Sequence, residues 1–263
     1  MTAETVSLAS LSAAMDGGFV GVADVADVMQ RVGAMSEYRL IGRITVMLHV
    51  QRLDLDLALR ATGDADFGIT PHLLRDPSLV KEIEKLGYHR TMGNRWERSV
   101  DDHRSAAVDL LVPAYTSRPR DTVHIGEIVT TEVPGLATAL RRPPVQLDVN
   151  LRLTDESARR TTLMLPDALS TLALKAHART VRIETRDAQD LWRALEVCLH
   201  EHVRPSDLDE DESLRRVPEI LRRELGAEGP ALAVLTDGLQ PEPATRMRTR
   251  MRALLMEVAG VDN

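Results

Sequence analysis

The hydrophobic period of the chain changes near residue 165, and that change does most to constrain its fold. Upstream, Val145, Leu147, Val149, Leu151 and Leu153 alternate with other residues, the period-two pattern of a half-buried strand. Downstream of Pro166 the spacing is helical: 166–179 and 187–203 read as strong helices, 210–224 and 243–259 as further ones. The expectation is therefore an α+β protein, with a mixed α/β half over 1–165 and a helical half over 166–263. A chain of 263 residues is long enough to give each half its own core. The interface between the halves is the expected place for an active-site cleft.

Within the first half, 22–33 has helical spacing, Tyr38-Arg39-Leu40-Ile41 reads as a short strand, and Ile44 to Val50 as a helix. Asp66 to Ile69 is strand-like, 76–86 looks helical, and Tyr88–Trp96 and Ala106–Val112 read as strands, the latter ended by Pro113. Residues 114–143, rich in Pro and Arg, connect or embellish. Thr161–Leu165 is one more strand candidate.

A net charge of −7 argues against a broad nucleic-acid-binding surface, so any such contact needs a local basic patch. Cys198 is the only cysteine, which excludes an internal disulfide and a multi-cysteine zinc site and suits a reducing cytoplasm. Met1 to Ala14 lacks the basic start and apolar core of a secretory signal. No stretch approaches the roughly 20 apolar residues of a membrane span. A cytoplasmic monomer with no membrane contact is expected.

The sharpest local feature is Arg60-Ala61-Thr62-Gly63-Asp64-Ala65-Asp66-Phe67-Gly68-Ile69. On an extended segment, residues two apart share a face, so Asp64 and Asp66 present two carboxylates side by side. Two such groups repel unless a cation lies between them, and Mg²⁺ takes oxygen ligands of this kind, as does Mn²⁺. Asp109 sits in the apolar run AAVDLLVP, where a lone charge needs a partner. If the two strands are neighbours, the three acids make a metal site. The plain alternatives are a solvated turn for the D-x-D pair and a strand-end acid for Asp109.

Three weaker features accompany it. Gly42 stands at a strand-to-helix junction, where a phosphate can approach the backbone, and Arg43 beside it either binds phosphate or faces solvent. Lys175 is one of only three lysines, with Lys81 and Lys85, and its compact charge suits a phosphate; an exposed helix lysine is the plainer alternative. Asp187 and Asp190 share a helix face, and Asp190, beside Leu191 and Trp192, is the better partner for Lys175. His177 reads as a packed or surface histidine rather than a ligand.

The ordered set Gly42, Arg60-x-Thr62-x-Asp64-x-Asp66 and Asp109 resembles the core of the nucleotidyltransferase fold. Lys175-Ala-His-Ala followed by Arg186-Asp187-x-x-Asp190-Leu191 resembles the nucleotidyltransferase toxins of the AbiEii/AbiGii (MenT-like) type. The resemblance spans about residues 38–195. Two departures stand out: Gly42-Arg43 replaces the usual Gly-Gly or Gly-Ser, and the stretch from Gly42 to Asp64 is longer than usual. The resemblance implies a mixed sheet of the nucleotidyltransferase kind. It implies that Asp64 and Asp66 hold the metal and the NTP, and that Asp109 is the third carboxylate. It gives Lys175 a phosphate contact and makes Asp190, or else Asp187, the acid of the helical half. Gly42, Arg43 and Thr62 complete the candidate nucleotide contacts. It further implies a toxin, paired with an antitoxin, that adds nucleotides to the 3′ end of tRNA and blocks translation.

Two other functions fit the same residues: nucleotide transfer to a protein or small molecule, and a catalytically silent binding partner. The intact acids and Lys175 argue against silence. Arg246, Arg248, Arg250 and Arg252, or Arg90, Arg95, Arg98 and Arg104, are the candidate phosphate patches. For the C-terminal set the alternative is a solvated face above a buried stripe of Met247, Met251, Leu255 and Val258.

Overall fold

The computed structural model describes residues 4–116, 118–181 and 185–262, except for the side chains of Thr185 and Arg186. The chain is α+β and divides into two compact units, Met1–Asp167 and Ala168–Asn263. In the first unit the order is β1 (Glu4–Ala9), α1 (Ala13–Arg31), β2 (Tyr38–Ile41), α2 (Gly42–Arg52), β3 (Asp64–Ile69), α3 (Pro71–Arg75) and α4 (Pro77–Lys85). There follow β4 (His89–Met92), β5 (Arg95–Ser99), β6 (Ser105–Pro113), β7 (Val123–Ile125), β8 (Ile128–Thr130), β9 (Glu132–Val133), α5 (Leu136–Arg141), β10 (Val145–Arg152) and β11 (Ala158–Leu165). The second unit comprises α6 (Ala168–Val181), α7 (Thr185–His200), α8 (Glu212–Arg215), α9 (Val217–Leu225), α10 (Pro230–Thr236) and α11 (Pro241–Ala259).

The main sheet runs β2-β3-β6-β5-β4, with β9 pairing the far end of β6. Its central pair, β3 and β6, is parallel; β2 with β3, β5 with β6 and β4 with β5 are antiparallel. A second sheet, β1-β10-β11, lays β1 parallel to β10. One core joins the two sheets: Phe67, Val108, Leu110 and Trp96 from the first, Val6, Leu8, Val149 and Leu163 from the second, and Phe19, Val22 and Val25 of α1 are all buried. Tyr38 stitches the sheets together, its hydroxyl accepting from the Met164 amide and donating to the Thr162 carbonyl.

Helix α1 begins at residue 13, nine residues before the stretch whose apolar spacing announces it. Gly17, Gly18 and Gly21 dilute the helical signal, because glycine is a poor helix former. They are there for contact: a Cβ on Gly17 would lie 2.0 Å from the Ser105 carbonyl oxygen. The helix therefore lies directly on β6. Ser12 caps it by accepting from the Met15 amide at 3.3 Å. The expected single strand over 88–96 is instead a hairpin, since Gly93 takes a left-handed φ of 53° and turns the chain between β4 and β5. Likewise 210–224 is broken between α8 and α9, with Pro218 in the first turn of the latter.

Asp16, in the first turn of α1, lies just beneath the surface and is closed off from solvent. It accepts from the Thr154 amide at 3.0 Å, from the Thr154 hydroxyl at 2.5 Å and from Arg104 at 3.2 Å. Burial pushes its carboxyl up, but the hydrogen bonds from Ser10, Thr154 and Arg104 outweigh it and hold the group below the usual aspartate value. A depressed folded-state pKa stabilises the fold above the unfolded value and ceases to do so as pH falls through the folded one. We expect Asp16→Ala to cost about 2 kcal/mol at pH 7, the scale of hydrogen bonds to a charged group. The cost should shrink at a second, strongly acidic pH, below the depressed folded-state value, where the wild-type carboxyl is itself protonated. Paired thermal melts at the two pH values check this; an equal cost at both would refute the charge-assisted role.

In the second unit α7 is the central element, packing against α6, α10 and α11. Arg179 and Glu224 form a buried ion pair at 2.8 Å between α6 and α9. Met251, Leu254, Leu255 and Val258 form the buried stripe of α11 and Met247 is half-buried, while Arg246, Arg248, Arg250 and Arg252 are exposed. Among the described residues, no helix is long and apolar enough to cross a membrane.

Candidate metal centre

The parallel pairing of β3 with β6 builds the site. Asp66 stands opposite Asp109 and Asp64 opposite Ala107. On the other side of β6, Arg95 of β5 stands opposite Asp109, and Glu97 opposite Ala107. One face of three adjacent strands therefore carries two rows: Asp66, Asp109 and Arg95, then Asp64, Ala107 and Glu97. The alternate residues Ala65, Phe67, Val108 and Trp96 point the other way, into the core. Ala107, the smallest member of the second row, leaves room between the acids.

Carboxylate oxygens of Asp64, Asp66 and Asp109 all lie within 4.8 Å of one another, and the three residues are half-buried. Burial raises the Asp109 carboxyl above its ordinary value; Arg95 opposes that rise, while the charges of Asp64 and Glu97 add to it. The Thr62 hydroxyl donates to Asp64 at 2.7 Å and fixes that side chain from the loop before β3. An all-oxygen set of three close carboxylates can hold a hard divalent cation, which takes oxygen ligands and relieves their repulsion.

Gly42 borders the triad. It follows Ile41, which pairs with Asp66 across β2 and β3, and opens α2 with a φ of 77°. A Cβ there would lie 2.0 Å from Asp66 Oδ2. The positive end of the α2 dipole thus lies beside the Asp66 carboxylate. Arg43 is half-buried and donates to the Ala61 carbonyl at 3.4 Å, on the loop that leads into β3. The structure therefore gathers Gly42, Arg43, Thr62, Asp64, Asp66 and Asp109 around one sheet end.

Lys175, Asp187 and Asp190 belong to the second unit. Lys175 is buried, not exposed, and its ammonium donates to Asp190 at 2.9 Å, the pairing anticipated from the sequence. Arg193 adds a contact to the other Asp190 oxygen at 3.3 Å. Its position three residues after Asp190 was a legible sign of a shared helix face, and sequence reasoning missed it. Asp187 is also buried on this helix, and the Arg186 side chain lies outside the described part. His177 is packed, bonded through Nε2 to Ser213, and burial lowers its pKa.

The candidate arginine patches are largely engaged. Arg98 is held by Asp24, Arg104 by Asp16, Asp101 and Asp155, and Arg90 donates to the Glu127 carbonyl. On α11, Arg246 pairs with Glu242, Arg250 with Glu196 and Arg252 with Asp262. Arg95 alone of the first set faces the acids, a placement that depends on strand register and is invisible in composition. Compared with known protein families and with curated proteins, the chain has no match.

Proposed function

We propose that the protein is a metal-dependent nucleotidyltransferase that transfers nucleotides from an NTP to the 3′ end of tRNA, as the toxin of a toxin–antitoxin pair. The observation that carries the enzymatic part is the convergence of Asp64, Asp66 and Asp109 within 4.8 Å beside the glycine that opens α2. The acceptor and the toxin role rest on the resemblance to AbiEii/AbiGii-type proteins. Asp64, Asp66 and Asp109 would hold Mg²⁺ or Mn²⁺, and that ion would supply charge neutralisation for the triphosphate and the attacking oxygen. In the reaction, a terminal ribose oxygen forms a bond to the α-phosphorus and the bond to the β-phosphate oxygen breaks, releasing pyrophosphate. The proton of the attacking hydroxyl is released to water as the bond to phosphorus forms. The positive end of α2 favours the anionic substrate.

Incubation with total RNA, Mg²⁺ or Mn²⁺ and each α-labelled NTP tests this. Label at an RNA 3′ end is the expected result. Label in a protein or small molecule moves the acceptor, and no label in any fraction overturns the reading. For Lys175, to which the resemblance gives a phosphate contact, we expect Lys175→Ala to slow transfer by about a hundredfold, the scale of losing one preorganised charge. It should relieve growth inhibition to match. Because the change also leaves Asp190 with Arg193, a melting curve must show the variant folded. Unaltered transfer by a folded Lys175→Ala protein removes the lysine from the reaction.

A further inference from the structure

The acidic face carries a cation of its own. Arg95 Nη1 lies 3.5 Å from Asp109 Oδ2, while its Nε donates to Glu97 Oε1 at 2.8 Å. Glu97 shares the face of β5 with Arg95, two residues on, so it fixes the near edge of the guanidinium and aims the far edge at Asp109. The side chain is about two-thirds shielded, with 34% of it exposed. At 3.5 Å the contact with Asp109 is electrostatic rather than a hydrogen bond of normal length. It can be given up at small cost, because about a third of the Arg95 side chain still reaches solvent.

We propose that Arg95 is the built-in counter-ion of the triad and becomes a phosphate-positioning residue once a divalent cation is bound. This inference rests on the metal-dependent reading above. With no metal bound, the guanidinium offsets the mutual repulsion of Asp64, Asp66 and Asp109. A divalent cation on the same acids carries more charge and binds Asp109 directly, so the two cations compete for that carboxylate. The displaced guanidinium stays near the site, because Glu97 still accepts from its Nε. Its planar fork then lies at the rim of the metal centre, the geometry that suits a phosphate oxygen pair. The ligand class is a polyphosphate chelated to the divalent ion. Arg90 and Arg98 are unsuited to the role, being engaged by the Glu127 carbonyl and by Asp24.

The test uses the full chain, Mn²⁺ followed by electron paramagnetic resonance, and inorganic tripolyphosphate titrated in saturating Mn²⁺. Arg95→Met should bind free Mn²⁺ about fivefold more tightly, the upper end for a partly exposed charge pair. It should bind tripolyphosphate about tenfold more weakly, since a charge-assisted fork is lost. Arg90→Met, which removes the same charge from the neighbouring strand β4, should change neither. Arg95→Gln repeats the test if Arg95→Met fails to fold. The opposite signs are the signature, because general loss of structure weakens both. Unchanged or weaker Mn²⁺ binding overturns the counter-ion role, and unchanged tripolyphosphate binding overturns the phosphate role. No Mn²⁺ binding by the wild type overturns both, together with the metal-dependent reading. If both shifts appear while the wild type transfers no nucleotide, Arg95's role stands and the nucleotidyltransferase reading falls. If transfer occurs and both titrations are unmoved, the reverse holds.

Discussion

Asp66→Asn should reduce nucleotide transfer by at least about a hundredfold while the protein stays folded, the loss typical of removing one preorganised group from a reacting centre. Asp66 is the residue on which the site turns. It stands opposite Asp109 in the register of β3 and β6, two residues from Asp64 on the same face, and against Gly42 at the start of α2. An amide keeps the volume and removes the charge, so the cation loses a ligand while the core on the other face of β3 is untouched. Without metal, three like charges at this spacing repel, and deleting one relieves that repulsion. The melting temperature should therefore hold or rise as activity and Mn²⁺ affinity collapse together. Near-wild-type transfer by folded Asp66→Asn protein would remove the triad from the mechanism. A joint fall in stability and activity would make the residue structural instead.

What the sequence revealed of this site was the part governed by the strand period. Asp64 and Asp66 share a face because they are two apart, and Asp109 stands out because it interrupts an apolar strand. Their joint placement follows from β3 and β6 being parallel neighbours, with the β4–β5 hairpin lying between them in sequence and at the sheet edge in space. That register has no local signal, so Arg95 reads in the sequence only as one of several arginines, and Glu97 not at all. The same limit explains β1: Glu4–Ala9 is short, and its strand character comes from pairing with β10, about 140 residues away. The α1 start was hidden by glycines needed for contact with β6. In the second unit, helical period was strong enough to place α6, α7 and α11. Asp190 was legible as the partner of Lys175, but the burial of the pair was not, because a lysine in a helical pattern reads as exposed.

Gly42→Ala should disable the site as thoroughly as loss of the carboxylate, by a different route. Two costs fall on one methyl group. The residue holds φ at 77°, where an L side chain costs roughly 1–2 kcal/mol, and its Cβ would lie 2.0 Å from Asp66 Oδ2. The helix cannot easily retreat, because Ile44, Val46, Met47 and Leu48 of α2 are buried in the core. Asp66 must therefore swing away, and its oxygen leaves the set shared with Asp64 and Asp109. The control is Gly33→Ala: Gly33 has a similar φ of 72°, but nothing lies within 4 Å of its would-be Cβ. Both variants should lose the stability due to backbone strain, read as a similar fall in melting temperature. Only Gly42→Ala should also lose Mn²⁺ binding and transfer by about a hundredfold, matching Asp66→Asn. If Gly42→Ala binds Mn²⁺ as well as Gly33→Ala does, the close approach of α2 to Asp66 has no part in the site. The glycine would then serve the turn from β2 into α2 and nothing more.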